Sequence, residues 1–122
     1  MALQFSKKLQ PLREQGVLIL GSGDIVHNLR AMDWANADTI GAGYDWAFAF
    51  RDQINQAISE NNTQALVHIE QFGETAELSV PTPDHYLPLL YVMALREKDD
   101  KITFFNDELV GGSISMTSVL VG

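Results

Sequence analysis

Three histidines, His27, His68 and His85, are the side chains of this 122-residue chain best suited to metal or proton chemistry. Imidazole binds Fe(II) and Zn(II) and titrates near neutral pH. A histidine taken singly is more often a surface or hydrogen-bonded residue than a ligand, so position has to separate the three. His27 lies just past Gly21-Ser22-Gly23-Asp24, a tight loop that follows the apolar run Val17-Leu18-Ile19-Leu20. Sheets of α/β proteins bind ligands beyond the carboxyl ends of their strands, and flanking glycines let backbone come close to a ligand. His85 follows Pro81-Thr82-Pro83-Asp84, where two prolines stiffen the approach, and it precedes the apolar Tyr86, Leu87 and Leu90. Such a place suits one polar group in a dry cavity, or equally a histidine that caps the amides of a helix start. His68, close to Glu70 in a weak helical stretch, reads as a surface or structural residue.

Other chemistries fit less well. The chain has no cysteine, which removes thiolate nucleophiles, disulfides and cysteine zinc sites. Ser22 in Gly-Ser-Gly lacks the glycine spacing of a nucleophile elbow. The same segment lacks the lysine and the spacing of a phosphate loop and is no dinucleotide fingerprint. No carboxylate pair stands out among the sixteen acidic residues. A net charge of −8 repels phosphate backbones and anionic lipid surfaces, so neither nucleic acid nor a membrane is an expected partner. No apolar stretch approaches the roughly 20 residues of a membrane span, and Lys7, Lys8 and Pro11 interrupt any secretory pattern. A cytoplasmic location is expected.

Apolar residues at 46% and charged residues at 20% describe a globular chain of one domain. Phe5, Leu9 and Leu12 predict a helix over residues 2–15, with Pro11 as a point of kinking or late start and Gly16 as its stop. Val17–Leu20 reads as a strand buried on both faces. Ile25–Arg30 suits a short helix, and 35–43 a surface loop. Asp45 is placed to cap a helix to about Glu60 with a stripe of Ala47, Phe50, Ile54, Ala57 and Ile58. Thr63 starts a shorter helix through Leu66, Ile69 and Phe72 to Gly73. Pro81–Asp84 reads as extended, and a largely buried helix runs from His85 to about Arg96 with Pro88 in its first turn. Ile102–Phe105 and the alternating Ser113–Val121 complete the set as strands, the second with Ile114, Met116, Ser118 and Leu120 on one face. The fold class is α/β, with helices packed on a small mixed sheet. So few strands, and an apolar strand at the end of the chain, fit one part of a larger α/β fold; a small three-layer domain or an oligomer is the alternative.

Two segments are familiar together. Gly21-Ser22-Gly23-Asp24-Ile25-Val26-His27-Asn28-Leu29-Arg30 and Pro81-Thr82-Pro83-Asp84-His85-Tyr86-Leu87-Pro88-Leu89-Leu90-Tyr91 resemble motifs of the class III extradiol ring-cleavage dioxygenases, in the branch that includes the DOPA 4,5-dioxygenases. Gly112-Ser113-Ile114-Ser115-Met116 looks like that branch's last strand, so the resemblance runs in order along the whole chain. It implies a non-haem Fe(II) or Zn(II) centre and a small aromatic catechol substrate opened by insertion of both atoms of O₂. It also implies that His85 is a metal ligand and that His27 either binds the metal or handles the catechol proton. Asp24 and Tyr86 are weaker candidates for supporting roles.

Full members carry two more metal histidines, in a Gly-His-Gly-Ser-type loop and a Ser-Ala-His-type strand end, and neither motif occurs here. Residues 1–122 therefore resemble the C-terminal portion of the catalytic domain, with Met1 falling in the middle. Two histidines leave a catalytic metal short of its usual three protein ligands. The isolated chain is expected to be inactive, with the N-terminal half or a homo-oligomer as partner. The rival reading is a non-enzymatic remnant kept for packing or homo-oligomer contacts.

Overall fold

The computed structural model describes the backbone of residues 2–122 and the side chains of residues 4–122. Two short helices, α1 (Ala2–Lys7) and α2 (Gln10–Glu14), stand where one was predicted. The chain breaks at Lys8-Leu9, and Pro11 falls in the first turn of α2, where its missing N–H leaves no hydrogen bond unmade. Gly16 ends α2 at φ 77°, a left-handed conformation that favours glycine. Beyond it, the predicted buried strand Val17–Leu20 is not formed. The segment has no regular secondary structure, and Leu18 and Leu20 are 74% and 85% exposed. An apolar run becomes a buried strand only when neighbours cover its faces and edges, and among the described residues no strand pairs with it.

The core is built on α3 (Asp45–Ser59), which lies where its apolar period places it. All five residues of the predicted stripe are buried. Asp45 sits in the first helical turn, with Tyr44 at the cap position, so its charge faces the positive end of the helix dipole. The next predicted helix is divided: α4 (Thr63–Val67) starts from Asn62, whose side chain accepts from the Ala65 N–H, and a 3₁₀ turn over Ile69–Phe72 follows. Helix α5 (Glu74–Ser79) then packs along α3. Helix α6 (Leu87–Met93) is shorter than expected but has Pro88 in its first turn, and it buries Leu90 and Met93.

Two antiparallel hairpin-like pairs finish the fold. Strand β1 (Ile102–Phe105) pairs with β4 (Ser118–Val121), and β2 (Leu109–Val110) with β3 (Ile114–Ser115). Among the described residues, parallel pairing occurs only at the isolated Gly43–Gly112 bridge. The single strand expected over Ser113–Val121 is split at Met116-Thr117, because these residues bond elsewhere. The Met116 N–H donates to the Glu108 carbonyl at 2.7 Å, and the Thr117 hydroxyl to Asp107 at 2.7 Å. The interruption also changes which side of β4 faces inward: Val119 and Val121 pack on the core, and Leu120 is exposed. The N-terminal helices are tied to the C-terminal hairpin region by Arg13, which pairs with Asp100 at 2.7 and 3.0 Å and donates to the Leu95 carbonyl. No helix among the described residues is long and apolar enough to cross a membrane.

Candidate metal centre

Residues 24–28 run from the glycine loop into the middle of the protein and are held there by backbone and serine hydroxyls. The Val26 N–H donates to Ser115 Oγ at 3.1 Å, and the Ser115 N–H returns a bond to the Val26 carbonyl at 3.0 Å. Next along, the His27 N–H donates to the Ser79 carbonyl at 2.9 Å, and His27 bridges Ile114 of β3. Asn28 is locked by its side-chain bond to the Leu78 carbonyl and by the Ser113 hydroxyl on its own carbonyl. Ile25 and Val26 are buried, so the backbone on the N-terminal side of His27 is fixed while its ring reaches outward, half-buried.

His85 comes from the other side. Pro81–Asp84 forms bends and a turn rather than an extended segment, because the Pro83 carbonyl accepts from the N–H groups of Tyr86 and Leu87 at 3.0 and 2.9 Å. The glycine loop then presses on this turn. The Asp24 N–H donates to the His85 carbonyl at 2.6 Å. A Cβ at Gly23 would run into that carbonyl and the Pro88 ring, and one at Gly21 would lie 2.9 Å from the Pro88 carbonyl. Glycine at these two positions is a condition for the close approach.

The two histidine rings meet as a result. Their centroids are 3.6 Å apart and their planes 24° from parallel. His85 Nε2 lies 3.3 Å from Asp84 Oδ2, at the exposed side of the pair. Burial, and then the neighbouring His85, lower the His27 pKa, which favours a neutral ring with a free lone pair. Asp84 is held below the ordinary carboxylate range, chiefly by a side-chain hydrogen bond from Thr82. Asp24 behaves oppositely: burial pushes its carboxyl up to about 6, although the Ser115 hydroxyl donates to it at 2.7 Å.

The other candidates fall elsewhere. The Tyr86 hydroxyl is buried and donates to the Leu66 carbonyl at 2.7 Å, so it serves the core. His68 is exposed and contacts Glu70 at 3.2 Å, apart from the stacked pair. Ser115, which joins Asp24 to the Val26 amide, and Ser79, which takes the His27 N–H, have no signal in local sequence. Their parts depend on which segments meet. Asp84, read from the sequence only as the end of an extended segment, adjoins His85.

Two imidazoles are donors that Fe(II) and Zn(II) accept, and the pair can supply part of a centre. Among the described residues no group of three histidine, cysteine, aspartate or glutamate side chains is placed to hold a metal ion. The residues present thus fit a share of a non-haem site rather than a whole one.

The fold agrees with the chain's relationships. It is homologous to the extradiol dioxygenases over its whole length, as a partial-length relative. The particular relatives are 4,5-DOPA dioxygenases. That of Escherichia coli K12 is 36% identical over 123 aligned positions, covering 98% of this chain and 44% of its own length. That of Beta vulgaris is 26% identical, covering 94% of this chain and 41% of its own length. A crystal structure of an uncharacterized E. coli K12 protein superposes with a TM-score of 0.87 at 34% identity, over 99% of this chain and 49% of that one. No family model matches the chain. The chain spans less than half the length of the relatives it matches.

Proposed function

We propose that residues 1–122 are the C-terminal portion of an extradiol dioxygenase catalytic domain and supply the His27–His85 share of its non-haem metal site. The observation that carries this reading is the stacking of the two rings at 3.6 Å, brought together from segments far apart in sequence. In the assembled enzyme, His85 is a ligand to Fe(II), or to Zn(II) in its place. His27 either joins it or takes the proton of a catechol hydroxyl through its free ring nitrogen. The metal would hold a small aromatic substrate and O₂ side by side. The chain's own part is to fix both rings: the Asp24–Ser115 contact anchors one backbone, and the glycine loop presses on the other.

The test is histidine ring NMR during Zn(II) titration of the purified chain. The His27 and His85 resonances are expected to shift together, weakly and in fast exchange, as suits two ligands without a third. His68 should stay in place, and His85→Ala should abolish the His27 shift. A shift confined to His68, or none at His85, overturns the reading. Catechol opening by the chain alone with added Fe(II) would also overturn the partial-site account.

A further inference from the structure

We propose that Val17–Leu20 and the slot beside it are a docking edge for a β-strand from the portion of the extradiol dioxygenase fold that this chain does not span. The run has the composition of a strand covered on both faces, yet Leu18 and Leu20 are 74% and 85% exposed. Among the described residues, the segment from Leu18 to Gly23 makes no hydrogen bond to any part of the chain. An apolar segment with free N–H and C=O groups is what strand addition consumes, because the added strand satisfies the backbone and covers the side chains in one step.

A place for the added element lies alongside. A cavity of about 420 Å³ runs between Leu20–Ile25 on one side and Phe105, Ser118 and Val119 on the other. Among the described residues, strands β1 and β4 pair only with each other, so each keeps a free edge. Phe105 and Leu120, on these strands, are half exposed. One strand entering here would extend the apolar surface from Leu18 to β4.

The occupant follows from the comparison of lengths. The E. coli crystal structure contains this fold almost entire, at TM-score 0.87, and that match accounts for only 49% of the chain. The other half of that architecture has to cover some face of this one. The face left with unpaired backbone is the one that leads directly, through Asp24, to His27. The partner is therefore placed to bring its residues to the histidine pair. The docking rests on the proposed reading of this chain as one portion of that fold, and this last step rests also on the proposed share of the metal site.

The experiment is co-expression of this chain with the part of the E. coli 4,5-DOPA dioxygenase that it does not span, as a separate tagged chain. The expected result is a one-to-one complex in analytical ultracentrifugation, with amides 18–23 protected from hydrogen exchange on assembly. Leu18→Lys with Leu20→Lys should weaken the complex by at least about tenfold. Since both side chains are exposed, the variant alone should keep the wild-type melting temperature. Failure of the pair to associate, or a complex indifferent to these substitutions, overturns the proposal. So does a homodimer of the chain alone that the same substitutions disperse, since that assigns the edge to a second copy. A complex in which zinc leaves the His27 and His85 resonances unmoved would preserve the docking edge and remove the proposed share of the metal site. Zinc shifts at both rings without association would do the reverse.

Discussion

At the scale of single residues, the histidine pair depends on a few small polar groups that never touch it through their side chains. Ser115 is the chief of these. Its hydroxyl lies 2.7 Å from Asp24 and 3.1 Å from the Val26 N–H, in a buried setting. Ser115→Ala leaves a buried carboxylate and a buried amide short of a partner, with an expected loss of about 1–3 kcal/mol in urea unfolding. The same variant should separate the His27 and His85 rings, read as loss of their mutual ring-current shifts. Tyr86→Phe provides the contrast: it strands the Leu66 carbonyl and costs about 1 kcal/mol, while the histidine shifts stay unchanged. Arg13 gives a titration. Its guanidinium holds the Asp100 carboxyl below the usual range, so the contact stabilises the fold above pH 4 and is lost as pH falls through the depressed value. Arg13→Met should lower stability by about 1 kcal/mol at pH 7 and converge on wild type at pH 2.

At the scale of elements, α3 gives the apolar core more buried residues than any other helix or strand. Phe50, Ile54 and Ile58 are fully buried, and Phe50 meets Phe72 edge-on with centroids 6.2 Å apart. Phe50→Ala should cost about 3–5 kcal/mol, a large share of the stability of a domain this size, and should show as a collapse of the cooperative thermal transition. Helix α3 was legible because a 3.6-residue period sustained over four turns has one solution. The short helices were less so. The predicted helix through Leu66 and Phe72 is interrupted at His68, and α6 begins after a turn set by the Pro83 carbonyl. The division between β3 and β4 could not be read from alternation, since it depends on bonds from Met116 and Thr117 to Glu108 and Asp107.

At the scale of the whole molecule, the chain has a core of its own and one side that asks for more. Leu18 and Leu20, on the segment whose backbone has no hydrogen-bond partner among the described residues, are 74% and 85% exposed. Hydrogen exchange of the chain alone should therefore show amides 18–23 exchanging at nearly unprotected rates, and those of α3 close to the global limit. Slow exchange across 18–23 at low protein concentration would mean that the chain covers this segment by itself.

The sequence by itself determined the amphipathic α3, the position of Pro88 in a first turn, strand β1, and the two motifs that bear His27 and His85. Each of these is a local matter, settled by period, by proline's missing N–H or by residues adjacent in the chain. The tertiary structure alone decided that the two rings stack, that Tyr86 turns to the core, that Ser115 and Ser79 support His27, and that Val17–Leu20 goes without a partner strand. Those outcomes depend on which distant segments meet. A side chain's burial and a strand's pairing belong to the neighbour as much as to the residue, and one chain's local pattern does not contain the neighbour.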